Sequence, residues 1–159
     1  MSDPQFNSEQ AHALRATRWW WGLAVFVCAP LPFLVQPLAD SSDWLERMPV
    51  AEESRAMTMA LIAGAFAVFV GLFARNQAYK AGWRGEVVEP AAFTRGNMLF
   101  YAAVTVGALL IFAVALVSRF PAPSLTAAPI VLGLLVFNFP NGKPMLPAPP
   151  RIGEDEGTR

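Results

Sequence analysis

Four long stretches of this chain carry no charge: between Arg18 and Asp40, between Arg55 and Arg75, between Arg95 and Arg119, and between Arg119 and Lys143. Each approaches or exceeds the roughly 20 residues that a helix needs to cross a bilayer. The composition agrees, because 55% of the 159 residues are hydrophobic and only 15% charged, against about a quarter charged in soluble domains. Such an excess of apolar surface needs lipid. The expected fold is an all-α membrane protein, a bundle of four transmembrane helices built as two antiparallel hairpins with short loops. The spans fall at about 19–38, 57–73, 98–117 and 126–139. They follow an N-terminal segment, 1–18, within a membrane domain covering 19–142, and precede a tail, 143–159, with the proline, glycine and charge content of a disordered end.

Prolines mark where these helices bend or stop. Pro30, Pro32 and Pro37 interrupt the first span; each removes a backbone donor and disfavours helix at the preceding residue. A regular helix is expected to about Ala29, then a kink or unwound stretch through "APLPF". The acidic loop "ADSSDWLERMPVAEESRAM" holds a short surface helix with Trp44, Leu45 and Met48 on one side, stopped by Pro49. The second span runs on through "ARNQAYKA" to Gly82 as its C-terminal stop. Pro90 opens the helix that leads into the third span, and Pro140 ends the fourth.

Charge sets the topology. Placing the N-terminus, the loop 74–97 and the tail on one side gathers Arg15, Arg18, Arg75, Lys80, Arg84, Arg95, Lys143, Arg151 and Arg159 there, leaving Arg47, Arg55 and Arg119 opposite. By the positive-inside rule both termini are cytoplasmic, and the short loops and small size make a bacterial inner membrane the default location. A formal net charge of zero offers no global basic surface for nucleic acid. Cys28 is the only cysteine, which excludes an internal disulfide and any cysteine-rich metal or iron-sulfur site. The arginines before "WWWGLAVFVCAP" imitate the first regions of a signal peptide. However, no Ala-x-Ala-like cleavage site follows, and Val27 is too large to precede a lipoprotein cysteine; the segment is read as mature protein.

The candidate sites are few. Trp19, Trp20 and Trp21 stand about 100° apart on a helix, so they form a collar and not a stacking platform. Together with Trp44 and Trp83 they are read as anchors at the membrane interface. Small residues recur at helical spacing, with Ala60, Gly64, Ala67 and Gly71 in the second span and Ala103 and Gly107 in the third. Such stripes let helices approach closely, either one another or a partner. Pro30 and Pro32 form the helix break, where unwound backbone can expose carbonyls to a substrate, as in discontinuous transporter helices. No ionisable side chain lies inside a span, whereas proton relays and ion paths usually need one. Asp40, Asp43 and Glu46 are read as a solvated loop rather than a divalent-ion site. His12 is the only histidine, too few for a two-histidine haem site. No catalytic residues, metal or cofactor are expected.

These features point to a non-catalytic integral membrane protein, an accessory subunit or assembly factor of a larger complex that acts through helix and lipid contacts. Its expected partners are the bilayer and another membrane protein or further copies of itself. The alternative is a small transporter or channel, self-associated around the proline-broken first span.

Overall fold

The computed structural model describes residues 6–41, 50–118 and 122–147, nearly all of them helical. Helix α1, Ser8–Cys28, starts at a capping box in which the Asn7 side chain accepts from the Gln10 N–H and the Gln10 side chain accepts from the Asn7 N–H. Pro30 ends it, and α2, Leu31–Ser41, continues at a bend of 41°. The break is tighter than the expected unwound stretch. The Ala29 N–H still donates to the Val25 carbonyl at 2.9 Å, and the Phe33 N–H donates to the Pro30 carbonyl at 3.0 Å. Pro32 falls in the first turn of the new helix, where a missing N–H costs least.

Helix α3, Val50–Ala81, starts ahead of its apolar stretch and carries Glu52 and Glu53 in its first turn, where the helix dipole favours carboxylates. It leads into a hairpin of β1, Trp83–Arg84, and β2, Val87–Val88, with Arg84 opposite Val87. The two-residue turn between them places Gly85 at φ 71°, a conformation that favours glycine. Helix α4, Pro90–Ser118, has its proline in first position, and α5 covers Ala122–Phe137. By length and apolarity α3 and α4 can each cross a membrane, and α1 with α2 makes a third crossing if the bent pair is one span. The 16 residues of α5 reach about 24 Å, less than the ~30 Å hydrocarbon core.

Helix α4 is the centre of the arrangement: α3, α1, α5 and α2 all pack on it, most extensively α3. The extended contacts of α1 and α2 are with α4 and α5, so α3 pairs with the helix after it and the first two spans do not form a hairpin of their own. Glycine makes the α3–α4 contact close. A Cβ on Gly107 would lie 3.0 Å from the Gly64 carbonyl oxygen, and one on Gly71 would lie 2.7 Å from Ala103 Cβ. Further along the seam, a Cβ on Gly96 would meet the Tyr79 ring at 2.9 Å, and one on Gly82 would collide with Ala92. Beside the seam, Phe100, Tyr101, Val104 and Leu135 join Ala24 and Cys28 of α1 in one buried cluster.

A second cluster lies past the apolar stretches, on the side of the bundle that carries the N-terminus. Ala13, Leu14, Val88, Phe93 and Met145 are buried together there, against Phe6, Tyr79 and Ala92. The start of the tail therefore belongs to the fold. Lys143–Met145 form a 3-10 turn, Met145 is fully buried, and its carbonyl accepts from Gln10 Nε2 at 2.7 Å. Apolar Met145 and Leu146 lie in a stretch whose prolines and glycine read as disorder from composition. Gly142 opens the turn at φ 75°, and a Cβ there would also strike the Phe6 ring at 2.8 Å.

Gly107→Val is expected to force the α3–α4 seam apart and to lower the thermal midpoint in detergent, at a cost of about 1–3 kcal/mol. Gly22→Ala, a helical position with nothing within 4 Å of an added Cβ, should hold the midpoint or raise it.

Candidate functional site

The last turn of any helix leaves carbonyls without helical partners. At the end of α5, side chains from three other helices converge on the Leu135 carbonyl and on Asn138, the residue just past the helix. The Leu135 carbonyl accepts from Trp21 Nε1 of α1 at 2.8 Å. Asn138, just past the helix, uses all its polar groups. Its side-chain oxygen accepts from Arg75 Nη1 of α3 at 2.6 Å, and its amide nitrogen donates to the Leu134 carbonyl at 2.8 Å. Its main-chain N–H donates to the same carbonyl at 3.1 Å, and its main-chain carbonyl accepts from the Tyr101 hydroxyl of α4 at 2.8 Å. Two residues on, the Pro140 carbonyl accepts from Arg18 Nε at 3.4 Å.

Aromatic rings complete this clasp. The Arg75 guanidinium lies 4.9 Å from the centre of the Phe100 ring, and that of Arg18 lies 5.5 Å from the centre of Phe139. Trp21 meets Phe139 edge to face, with centroids 5.0 Å apart. Two cations at the C-terminal end of α5 also suit the negative end of its dipole. Among the described residues Arg75 has no carboxylate partner and engages one acceptor, the Asn138 side-chain oxygen. Nearby, Asn97 Nδ2 donates to the Tyr79 hydroxyl at 2.7 Å and to the Phe93 carbonyl at 2.9 Å, pinning the outer part of the seam.

The residues singled out from sequence fall into separate places. Trp19 and Trp20 are exposed, while Trp21 is half-buried and turned toward α5. Trp83 is exposed on β1, beside an Arg84–Glu89 ion pair of 2.8 Å, and Trp44 lies outside the described residues. The structure brings Gly64, Gly71, Ala103 and Gly107 together in the seam, with Ala60 buried and Ala67 half-buried beside them. Pro30 is exposed at the bend and Pro32 buried. The void next to that break, lined by Cys28, Pro32, Ile111 and Ser124 among others, measures about 20 Å³, room for about one water. No cluster of three or more His, Cys, Asp or Glu that could hold a metal occurs among the described residues.

A larger opening lies between α3 and α5. Leu61, Ala65 and Val68 form one wall, Ile130 and Leu134 the other, and Val104, Gly107 and Ala108 of α4 the floor of a groove of about 270 Å³. Sequence reasoning missed this groove, and it missed the clasp, whose Arg75 and Asn138 are 63 residues apart. Comparison with protein-family models, with curated proteins and with solved structures finds no match to this chain. Its class therefore rests on its own helices: it is an all-helical integral membrane protein.

The three tryptophans are expected to separate by substitution. Trp21→Ala removes both ring packing and the bond to Leu135, and should destabilise by about 3–5 kcal/mol. Trp19→Ala, at an exposed site, should cost under about 0.5 kcal/mol. Thermal unfolding of the two variants in the same detergent checks this.

Proposed function

We propose that this chain is a non-catalytic accessory subunit or assembly factor of a larger membrane complex, acting through helix–helix and lipid contacts. The observation that supports this reading is the bareness of α3. Of its most apolar 18-residue stretch only 17% is buried, against 33% for α4, and its extended packing is with α4 alone. The groove residues Leu61, Ala65 and Val68 occupy its flank toward α5. A helical period of about 100° per residue puts Ala56, Ala63, Ala67 and Ala74 on the other flank. That second stripe of small side chains is not used up by the seam: Ala63 is exposed and the other three are half-buried. A partner helix can approach closely along it, which is how membrane helices associate when lipid supplies no hydrophobic drive.

In this reading α1 with α2, α3, α4 and α5 are the four spans, with both termini on the cytoplasmic face of a bacterial inner membrane. The excess of arginine and lysine on that side is its support. The competing reading, a transporter self-assembled around the proline break, gains no support from a void that holds about one water.

Native mass spectrometry of the tagged protein, released gently from its own membranes, should show a reproducible complex with at least one different polypeptide. The double variant Ala63→Phe, Ala67→Phe should lose that partner while keeping its own fold. A homo-oligomer with no other polypeptide would overturn the accessory reading in favour of self-association.

A further inference from the structure

On the side of α3 that lines the groove, Arg75 stands two helical turns beyond Val68, the last α3 residue of the groove wall. Along α3, the stretch from the Arg55 end to Arg75 is free of ionised groups, and its 20-residue advance spans about 30 Å, the thickness of the hydrocarbon core. Arg75 therefore stands at the level of the lipid headgroups. The groove walls on α3 are Leu61, Ala65 and Val68. From Leu61 to Arg75 the helix rises about 21 Å, somewhat more than the ~15 Å depth of one leaflet. The α3 wall of the groove ends at Val68, about 10 Å short of Arg75 along the helix, so a guanidinium with no carboxylate partner among the described residues stands at headgroup level above the groove.

From this geometry we infer that the groove and Arg75 form a binding site for one anionic phospholipid, with an acyl chain along the groove and the phosphate on Arg75. The charge above the groove selects the headgroup: one guanidinium N–H is engaged by Asn138 and one face lies over Phe100, with no acidic side chain to neutralise it among the described residues. The clasp also excludes a bulkier occupant. A helix of any protein, a second copy included, is about 10–12 Å across. Continued past the groove to the headgroup level of Arg75, it would have to break the 2.6 Å Arg75–Asn138 bridge that joins α3 to the end of α5. An acyl chain is far thinner; it enters sideways from the bilayer and ends beneath that bridge. The walls suit it, since Leu61, Val68, Ile130, Val131 and Leu134 are aliphatic and the floor is opened by Gly107 and Ala108. The site deepens the lipid-contact part of the proposed function, and it does not depend on a protein partner.

The test uses the full chain purified alone in detergent, so loss of the partner reading leaves it intact. Native mass spectrometry is run with added dioleoylphosphatidylglycerol or dioleoylphosphatidylcholine at equal concentration. One phosphatidylglycerol should be retained with about tenfold preference over phosphatidylcholine, the size expected of a hydrogen bond to a charged group. Arg75→Gln should abolish the preference, and Arg75→Lys should keep most of it. Ala65→Phe, which fills the groove from an exposed position, should reduce retention of both lipids with the lipid-free thermal midpoint unchanged. Equal binding of the two lipids by the wild type would overturn the proposal. So would retention untouched by Ala65→Phe, full competition by inorganic phosphate, or a dimer that Ala65→Phe dissolves. If Arg75→Gln does not fold, Arg75→Lys and Ala65→Phe decide the matter.

Discussion

Direct contact between two glycine backbones sets the geometry on which the rest of this protein depends. Lipid tails are as apolar as leucine, so burying apolar side chains between membrane helices gains little; close van der Waals packing has to hold them together. Gly64 and Gly107 bring the backbones of α3 and α4 within reach of each other, and Gly71 and Ala103 continue the contact. With α3 held this near on one side of α4, α1, α2 and α5 pack on the rest of it, and Tyr101 reaches the Asn138 carbonyl past the end of α5. The core cluster of Ala24, Cys28, Phe100 and Leu135 forms where those helices meet.

Helix α5 has only 16 residues, and its C-terminal end is tied to several other elements. A buried polar group left without a hydrogen bond is costly, so the end of a packed helix is best satisfied by its neighbours. Trp21, Arg75, Tyr101 and Asn138 do this together. The same bonds that complete α5 also fix a cation at a set position on the bundle, so the stability of one helix end and the character of the lipid-facing surface have a common origin.

Much of the helix order could be read from the charge-free stretches alone, because charge and proline end apolar helices for local reasons. The seam was half legible. Gly64, Gly71 and Gly107 stand in apolar sequence, where a small-residue stripe is visible, whereas Gly82 and Gly96 stand beside charged or loop-forming residues and read as chain punctuation. The three tryptophans are adjacent and identical in chemistry, and only the position of α5 determines that Trp21 turns inward. The Arg75–Asn138 pair joins two different helix ends, and no periodicity within either helix announces it. The packing of Met145 was hidden for another reason: one apolar side chain in a proline-rich stretch carries no pattern.

The bond between Gln10 and the Met145 carbonyl links residues 135 positions apart. During synthesis α1 is made first, yet the surface that buries Ala13 and Leu14 is completed by the segment after α5. The N-terminal half of α1 thus has to wait, partly covered, until the segment after α5 has been made. Closing that cap needs Met145, so the burial of Ala13 and Leu14 depends on a segment made only after α1–α5.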